Sequence, residues 1–217
     1  MMKPEVISIN TKQKFSEFLL RKIESVLMHG GLLICPTESS YLLGANAWDD
    51  EAVSSIYQLK KRDLRKPLPI VVKDVSAARK LVSFNSLADK IVAKFWPGPL
   101  TVILPIRPAN HKKFYGEKGT IGLRVSSFPV LQQILIRINI PLISTSANIS
   151  GHQEPYSPLA LTRIEATSLQ KIKLILDAGT LPANPPSTVI DISRGSLSLV
   201  REGAIPFEKI TSAVSRL

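Results

Sequence analysis

Residues 32 to 44 read L-L-I-C-P-T-E-S-S-Y-L-L-G, a polar break between two apolar runs. The first run, Leu32 to Cys35, has the length and composition of a buried strand, and a second apolar run begins at Tyr41. Between them, residues 37 to 40 carry three hydroxyls and one carboxylate. Such side chains suit a tight turn, and they also suit a ligand site at the end of a strand. This stretch therefore predicts a strand whose end carries turn chemistry or part of a binding site.

Helical and strand patterns alternate on both sides of this stretch. Apolar side chains recur at helical spacing from Phe15 to Leu27 and stop at Gly30-Gly31. A second helix begins at the acidic residues 49 to 51 and ends in a basic cluster. Further helices are predicted over 75–95 (with a break near 83–86), over 130–138 and over 159–169. Further strands are predicted over 68–72, 100–106, 120–125, 141–144, 172–176, 188–192 and 197–200. Because strands alternate with helices early and follow one another with loops later, we predict a twisted mixed α/β sheet with flanking helices.

Composition narrows the classes of partner more than the fold. The 217 residues are 44% hydrophobic, which suits one domain with a real core, predicted to span residues 1–217. The net charge is +11, which favours ligands that carry phosphate, from nucleotides to RNA. Five of the positive residues fall within seven positions: Lys60, Lys61, Arg62, Arg65 and Lys66. This cluster indicates an anion site, and a solvated basic surface is the alternative.

Several classes of site and location are excluded by the sequence. A single cysteine, Cys35, rules out an internal disulfide framework and an all-cysteine metal site, and its place in an apolar run indicates a buried thiol. Neither a phosphate-loop motif nor a G-x-G-x-x-G fingerprint is present, and the three histidines lack metal-ligand spacing. No apolar run approaches the ~20 residues of a membrane span, and the N-terminus lacks a signal segment. We therefore predict a cytoplasmic protein without a membrane partner.

Polar and charged groups recur where apolar strands end. Each group alone suits turn or capping chemistry, but ligand sites of α/β proteins form from loops at one edge of a sheet. The segments are Thr37 to Ser40, Lys60 to Leu68, Thr120 with Arg124, Ser144 to Gly151, Ser187 to Asp191 and Leu199 to Gly203.

These segments, in this order, resemble the threonylcarbamoyl-AMP synthase family, whose fold is the YrdC-like domain. The family pattern runs P-T-[DE]-T-x-Y-G-L-G, K-x-R-P-x-x-x-P-L, W-P-G-P-x-T, R-x-P, S-x-S-A-N-x-S-G, S-T-[VI]-x-D and R-x-G. The resemblance covers about residues 15–207 and implies a large basic concave face. The chain departs from the pattern at Leu42, where the family has glycine, and at Asp63, where proline is common.

The resemblance implies a nucleotidyltransferase that converts L-threonine, bicarbonate and ATP into L-threonylcarbamoyl-AMP and pyrophosphate. A separate transferase complex would then place the threonylcarbamoyl group on tRNA, giving threonylcarbamoyladenosine. The implied cofactor is Mg²⁺, carried on the triphosphate rather than held by the protein. Phosphoryl transfer of this kind depends mainly on positioning and on neutralisation of charge, which matches the residue types of the segments.

The resemblance also implies a role for individual residues. Four match positions on the threonine side: Ser39, Arg124, Ser144 and Ser187. Seven match positions on the ATP side: Lys60, Arg62, Lys66, Thr120, Ser146, Asn148 and Arg201. Lys60 and Arg62 are expected to stabilise charge, and Arg124 is expected to hold the threonine carboxylate through a bidentate pair.

Two other functions remain open from the sequence. The same basic surface could bind double-stranded RNA or tRNA without catalysis, although an RNA binder has no need for the S-x-S-A-N segment. A related domain in hydrogenase-maturation proteins forms a carbamoyl adenylate from carbamoyl phosphate. Those proteins carry zinc-finger motifs, which one cysteine cannot supply.

Overall fold

The computed structural model describes residues 3–108, 119–149, 155–157 and 170–215 of the chain. The described helices are α1 (Glu17–Met28), α2 (Asp50–Lys60), α3 (Val75–Leu81), α4 (Ser86–Phe95), α5 (Pro129–Ile138) and α6 (Phe207–Ser215). The described strands are β1 (Glu5–Ser8), β2 (Leu32–Pro36), β3 (Tyr41–Asn46), β4 (Ile70–Val72), β5 (Leu100–Pro105), β6 (Thr120–Val125), β7 (Leu142–Ser146), β8 (Ile172–Asp177), β9 (Thr188–Asp191) and β10 (Ser198–Arg201). Among these helices, none is both long and apolar enough to cross a membrane.

The chain forms two compact units. The first unit contains Met1–Asp63 and Phe128–Asn184, and the second contains Leu64–Ser127 and Pro185–Leu217. Each unit has five of the described strands, with parallel and antiparallel neighbours in both. The predicted mixed α/β class is therefore confirmed, whereas the single domain over residues 1–217 and the basic concave face stay predictions.

In the first unit the strands lie in the order β1-β8-β2-β3-β7. β8 is parallel to both β1 and β2, and β3 is antiparallel to both β2 and β7. β2 is buried along its whole length, as its apolar sequence requires. Helix α1 is capped at its N-terminus by Ser16, whose Oγ accepts a hydrogen bond from Leu19 N, and it buries Ile23 and Leu27. It packs against α5.

In the second unit the strands lie in the order β4-β6-β5-β9-β10. β4 is parallel to β6, β6 is antiparallel to β5, β5 is parallel to β9, and β9 is antiparallel to β10. The W-P-G-P turn leads into β5: Trp96 Nε1 donates to Leu100 O (2.7 Å), and Gly98 N donates to Val125 O (2.8 Å). A Cβ on Gly98 would lie 2.5 Å from Phe95 O, so only glycine fits this approach.

Most predicted elements are present, with differences at the termini. Strand β1 and helix α6 were not predicted, because β1 is a short edge strand with exposed Glu5 and α6 lies beyond the last motif. Residue Phe18, which fits the helical spacing of α1, is 72% exposed. The helix predicted over 159–169 lies outside the described residues, as do most of the predicted loops at 107–119 and 151–158.

Candidate functional site

The turn between β2 and β3 is organised by one threonine hydroxyl. Thr37 Oγ1 donates to Ser40 O (2.7 Å) and accepts from Ser39 N (3.1 Å) and Ser40 N (3.2 Å). The side chains of these three residues are buried. Turn chemistry therefore accounts for Thr37, whereas the Ser39 hydroxyl contacts Thr37 Oγ1 only at 3.3 Å. The role that the resemblance implies for Ser39, a contact with the substrate threonine, stays a prediction.

Two predicted site serines share one face of the first unit's strands. In the antiparallel register, Ser144 of β7 lies opposite Gly44 of β3, and Ser146 lies opposite Leu42. Paired residues of antiparallel strands, and alternate residues of one strand, point to the same face. Ser144 and Ser146 therefore project from the face that also carries Leu42.

Leu42 fills the space above its neighbour on that face. Its side chain is 3% exposed, and its Cδ1 lies 3.1 Å from the point where a Cβ on Gly44 would stand. The departure from the family pattern thus places a buried leucine opposite Ser146, and Gly44 beside it leaves the room that the leucine takes.

Lys60, the last residue of α2, joins two further predicted residues to this site. Its side chain is buried, and the whole residue is 2% exposed. Nζ donates to Ser146 O (2.6 Å), Asn148 O (2.7 Å) and Asn148 Oδ1 (3.1 Å). Ser146 Oγ also donates to Asn148 Oδ1 (2.7 Å). An ammonium group has three protons to donate, and these contacts with carbonyl oxygens fix the segment after β7.

Arg62 and Lys66, the other two residues of the basic cluster with a predicted role, are less buried than Lys60. Lys61 ends α2 in the left-handed conformation (φ 49°), and Arg62 N then donates to Tyr57 O (3.0 Å). This turn directs the chain away from the helix axis at Arg62, whose side chain is partly exposed. Lys66 is exposed and belongs to the second unit.

The second unit also collects predicted residues on one face. Register pairs Thr120 with Pro105, Thr101 with Val189, and Ile103 with both Gly122 and Asp191. By alternation along each strand, Arg124, Thr120, Thr101 and Asp191 all point to the same side. Arg124 is 8% exposed, so its guanidinium lies in a largely desolvated setting.

Ser187, just before β9, is held from two sides. Its Oγ is hydrogen-bonded to Thr101 Oγ1 (2.9 Å), and its carbonyl oxygen accepts from Arg201 Nη2 (2.9 Å). Arg201 reaches it because the register shifts between Leu199 and Arg201, which places Arg201 opposite Val189. A bulge of this kind redirects the side chain that follows it. Arg201 itself is exposed.

Thr188 ties the segment after β10 to β9. Its side chain is fully buried, and Oγ1 donates to Ile205 O (2.6 Å) while accepting from Gly203 N and Ile205 N (both 3.0 Å). A Cβ on Gly203 would lie 2.1 Å from Pro186 O, so the approach requires glycine. The S-T and R-x-G segments are therefore one assembled structure in which Arg201 is placed beside Ser187.

The structure thus forms two groups of predicted residues, each within its own unit. In the first unit Lys60, Ser146 and Asn148 are bonded together, with Ser144 on the same face of the strands. In the second unit Ser187 and Arg201 are bonded together, and Thr120 and Arg124 share their face. The ligand roles of all these residues stay predictions.

Thr101, which contacts a predicted site residue, received no role from the sequence. Thr101 is 6% exposed and bonds the Ser187 hydroxyl. The sequence did contain a clue, because Thr101 is the last residue of the W-P-G-P-x-T segment. The spacing of that segment alone does not show which side chain Thr101 contacts.

Cys35 agrees with its prediction as a structural thiol. It is a free cysteine, buried in β2, and burial raises the pKa of the thiol far above its ordinary value. Tyr41, the first residue of β3, is also buried, and burial is the main cause that raises the pKa of its hydroxyl to about 12. Its hydroxyl donates to Gly179 O (2.8 Å) and accepts from Ala178 N (2.9 Å), so it serves the packing of β3.

Comparison with known proteins identifies the family. The model of the Sua5/YciO/YrdC family, whose description reads "Telomere recombination", matches residues 25–203. This chain belongs to that family. The family match covers the S-T-S-A-N and W-P-G-P segments that carry the resemblance.

Individual members of the Sua5/YciO/YrdC family are similar over most of the chain. A Methanocaldococcus jannaschii protein named "Putative threonylcarbamoyl-AMP synthase" is 37% identical over 92% of this chain and 90% of its own length. The Pyrococcus abyssi threonylcarbamoyl-AMP synthase is 30% identical over 97% of this chain, which spans 62% of that longer protein. The structure of Pyrococcus abyssi Sua5 complexed with L-threonine superposes with a TM-score of 0.86, again 30% identical over 97% of this chain and 62% of that one.

A structure of lower identity supports the fold. Escherichia coli YciO has a TM-score of 0.84 at 24% identity, covering 95% of this chain and 99% of that one. The predicted family and fold are therefore confirmed. The names of the curated relatives agree with the predicted enzyme, a nucleotidyltransferase, and not with the non-catalytic RNA-binding alternative.

Proposed function

We propose that this chain is an L-threonylcarbamoyladenylate synthase, which makes threonylcarbamoyl-AMP and pyrophosphate from L-threonine, bicarbonate and ATP. The observation that carries the proposal is the similarity to the Methanocaldococcus jannaschii protein of that name over 92% of this chain. The two groups of hydroxyls, amides and cations described above support it, because they contain the types of side chain that such a reaction would use.

The reaction has two chemical steps. The threonine amine attacks bicarbonate to form a carbamate, and water is lost. A carbamate oxygen then attacks the α-phosphorus of ATP, and the bond from that phosphorus to the bridging oxygen of pyrophosphate breaks. Because the protein forms no covalent intermediate in this scheme, its contribution is to position the reactants and to offset the charge that develops on the phosphates.

We assign recognition of the threonine carboxylate to Arg124. A guanidinium offers two parallel donors to a carboxylate, and the low exposure of Arg124 reduces the competition from water. Ser39, Ser144 and Ser187 would contact the rest of the threonine and the carbamate.

The nucleotide would meet a separate set of side chains. Thr120, Ser146 and Asn148 supply neutral hydrogen-bonding groups, and Arg62, Lys66 and Arg201 supply positive charge for the phosphates. Lys60 adds positive charge while it holds the segment of Ser146 and Asn148.

Mg²⁺ would arrive with the triphosphate as part of the substrate. Within the described residues there is no group of three His, Cys, Asp or Glu side chains that could hold a metal ion. Hydroxyls, amides and cations fit a site for a magnesium–nucleotide complex, in which the ion is coordinated mainly by phosphate oxygens and water. The ion would neutralise charge on pyrophosphate as it leaves.

The product would serve tRNA modification. A threonylcarbamoyl adenylate is an activated acyl donor, so a transferase complex must take its acyl group to the adenosine of tRNA. A cytoplasmic location, which the same role would require, is part of this proposal. The net charge of +11 supports direct contact with tRNA or double-stranded RNA as an additional property.

Pyrophosphate release tests the proposed activity. The purified chain should release pyrophosphate from ATP only when both L-threonine and bicarbonate are present. Release that is independent of threonine would contradict the proposal, as would tight, salt-sensitive RNA binding by a chain without any turnover.

A further inference from the structure

A polar pocket lies at one end of the face that carries Ser187 in the second unit. Its volume is about 340 Å³, within the usual range for ligand sites. Its lining residues are Thr120, Asp191, Ser193, Arg194, Ser196 and Ser198. Only Thr120 among them has a role from the family resemblance.

The chemistry of the lining indicates a neutral, hydroxyl-rich ligand. Four lining side chains carry hydroxyls, and the charges of Asp191 and Arg194 offset each other. Asp191 Oδ1 accepts from Ser193 N (2.8 Å), which fixes the carboxylate. In the described part of the chain, Asp191 Oδ2 meets no hydrogen-bond donor, so it remains an acceptor for a ligand hydroxyl. A phosphate gains no net attraction from this lining, because the carboxylate offsets the positive charge of Arg194.

The position of the pocket along β9 points to one part of the proposed nucleotide. Ser187 lies before the strand, Arg201 is opposite Val189 at its start, and Asp191 with Ser198 is at its end. Asp191 lies four residue steps after Ser187, which corresponds to about 13 Å of extended chain. A threonine-side serine, a cation and a hydroxyl-binding pocket therefore follow one another in a line. Threonine, phosphate and ribose follow one another in the same order in threonylcarbamoyl-AMP.

We propose that this pocket receives the ribose of ATP, with Asp191 Oδ2 accepting a hydrogen bond from a ribose hydroxyl. The inference rests on the proposed function, because the order of groups is that of its product. Asp191 acts here as a residue that selects ribonucleotides over deoxyribonucleotides. Ser198, whose Oγ donates to Asp191 O (3.1 Å), closes the end of the pocket.

Nucleotide binding without turnover provides the test. The affinities of the unaltered chain for ATP, 2′-deoxy-ATP and 3′-deoxy-ATP are measured by calorimetry in the absence of threonine. At least one deoxy analogue should bind about tenfold more weakly than ATP or worse, because a hydrogen bond to a charged acceptor is lost. Equal affinity for all three nucleotides would overturn the ribose site. Since this arm uses the unaltered protein, it does not depend on the folding of a variant.

The Asp191→Asn variant tests whether the Asp191 carboxylate causes the preference for ATP over the deoxy analogues. Asparagine can keep the bond to Ser193 N through its Oδ1, but it presents an amide donor where Oδ2 stood. The variant should bind ATP about as weakly as the disfavoured analogue and lose the preference for ribose. The matched control, Glu208→Gln, removes an exposed acid in α6 and should keep the preference.

The possible failures are separable. A variant that still prefers ATP by the original factor would show that Asp191 does not contact the ribose. Failure of the unaltered chain to bind ATP at all would contradict the proposed function, and the ribose site with it. ATP binding with threonine-dependent turnover but no preference for ribose would overturn only the inference about this pocket.

Discussion

Lys60 in the first unit and Arg201 in the second are both predicted to contact phosphate, yet their surroundings differ. Lys60 is 2% exposed, and its ammonium donates to three carbonyl oxygens of the segment at 146–148. Arg201 is exposed, and one of its guanidinium nitrogens donates to Ser187 O. Burial of a cation costs free energy unless its donors are satisfied, and Lys60 meets this cost with carbonyl groups of its own unit. The difference indicates that Lys60 acts mainly by positioning its neighbours, whereas Arg201 can meet a ligand.

The largest effect is expected from Lys60→Met. Methionine has a similar length but cannot donate a hydrogen bond, so the part-buried main-chain carbonyl oxygens of Ser146 and Asn148 lose this donor, while Asn148 Oδ1 keeps the bond from Ser146 Oγ. This loss should lower the free energy of unfolding by about 2 kcal/mol. Turnover should fall by about 100-fold or more, because Ser146 and Asn148 lose their fixed position. Thermal unfolding and pyrophosphate release measure the two effects.

The control for Lys60→Met is Lys90→Met, which removes an exposed lysine from α4. It should change stability by less than about 0.5 kcal/mol. If Lys60→Met were as stable as this control and lost only affinity for ATP, Lys60 would be a phosphate ligand and the comparison with Arg201 would fail.

Arg124→Ala should remove threonine-dependent turnover while ATP binding stays nearly unchanged. A bidentate carboxylate contact in a desolvated site is lost, so we expect the KM for threonine to rise by about 100-fold or more. Steady-state kinetics with each substrate varied in turn measure the change. Because Arg124 is buried, Arg124→Lys serves as a second variant that keeps the charge but not the fork. An equal loss of affinity for ATP and threonine would contradict the assignment.

Much of this arrangement could be predicted from the sequence. The parts that could not be predicted have one physical cause in common. Strands over 32–35 and 141–144 were predicted because apolar runs stop there, slightly before the observed ends of β2 and β7, and the order of the motifs indicated the family. The bonds of Lys60 to Ser146 and of Thr101 to Ser187 each join residues 86 positions apart. Local periodicity carries no information on such pairs. Whether a lysine in a basic cluster is buried depends on these distant partners.

Arg201→Ala tests the second residue of this comparison, the exposed cation. The exposed guanidinium contributes little to folding, so the free energy of unfolding should fall by no more than about 1 kcal/mol. Affinity for ATP should fall about tenfold, because a positive charge near the phosphates is lost. A fall in melting temperature as large as that of Lys60→Met, without loss of ATP affinity, would reverse the two assignments.

The smallest effect is expected from Thr101→Val, which keeps the shape of the side chain and removes its hydroxyl. Loss of the bond to Ser187 Oγ should cost about 1 kcal/mol of stability. The KM for threonine should rise several-fold with the KM for ATP unchanged, because Ser187 is free to turn. Thr101→Ser should restore the original KM. If Thr101→Ser behaved like Thr101→Val, the methyl group rather than the hydroxyl would be the important part.

The most direct measurement of the proposed chemistry follows a labelled carbon. The chain is incubated with L-threonine, Mg·ATP and ¹³C-bicarbonate, and the nucleotide products are analysed by mass spectrometry. We expect an adenylate that contains both threonine and the labelled carbon. An adenylate of threonine without the label, or AMP alone, would contradict it.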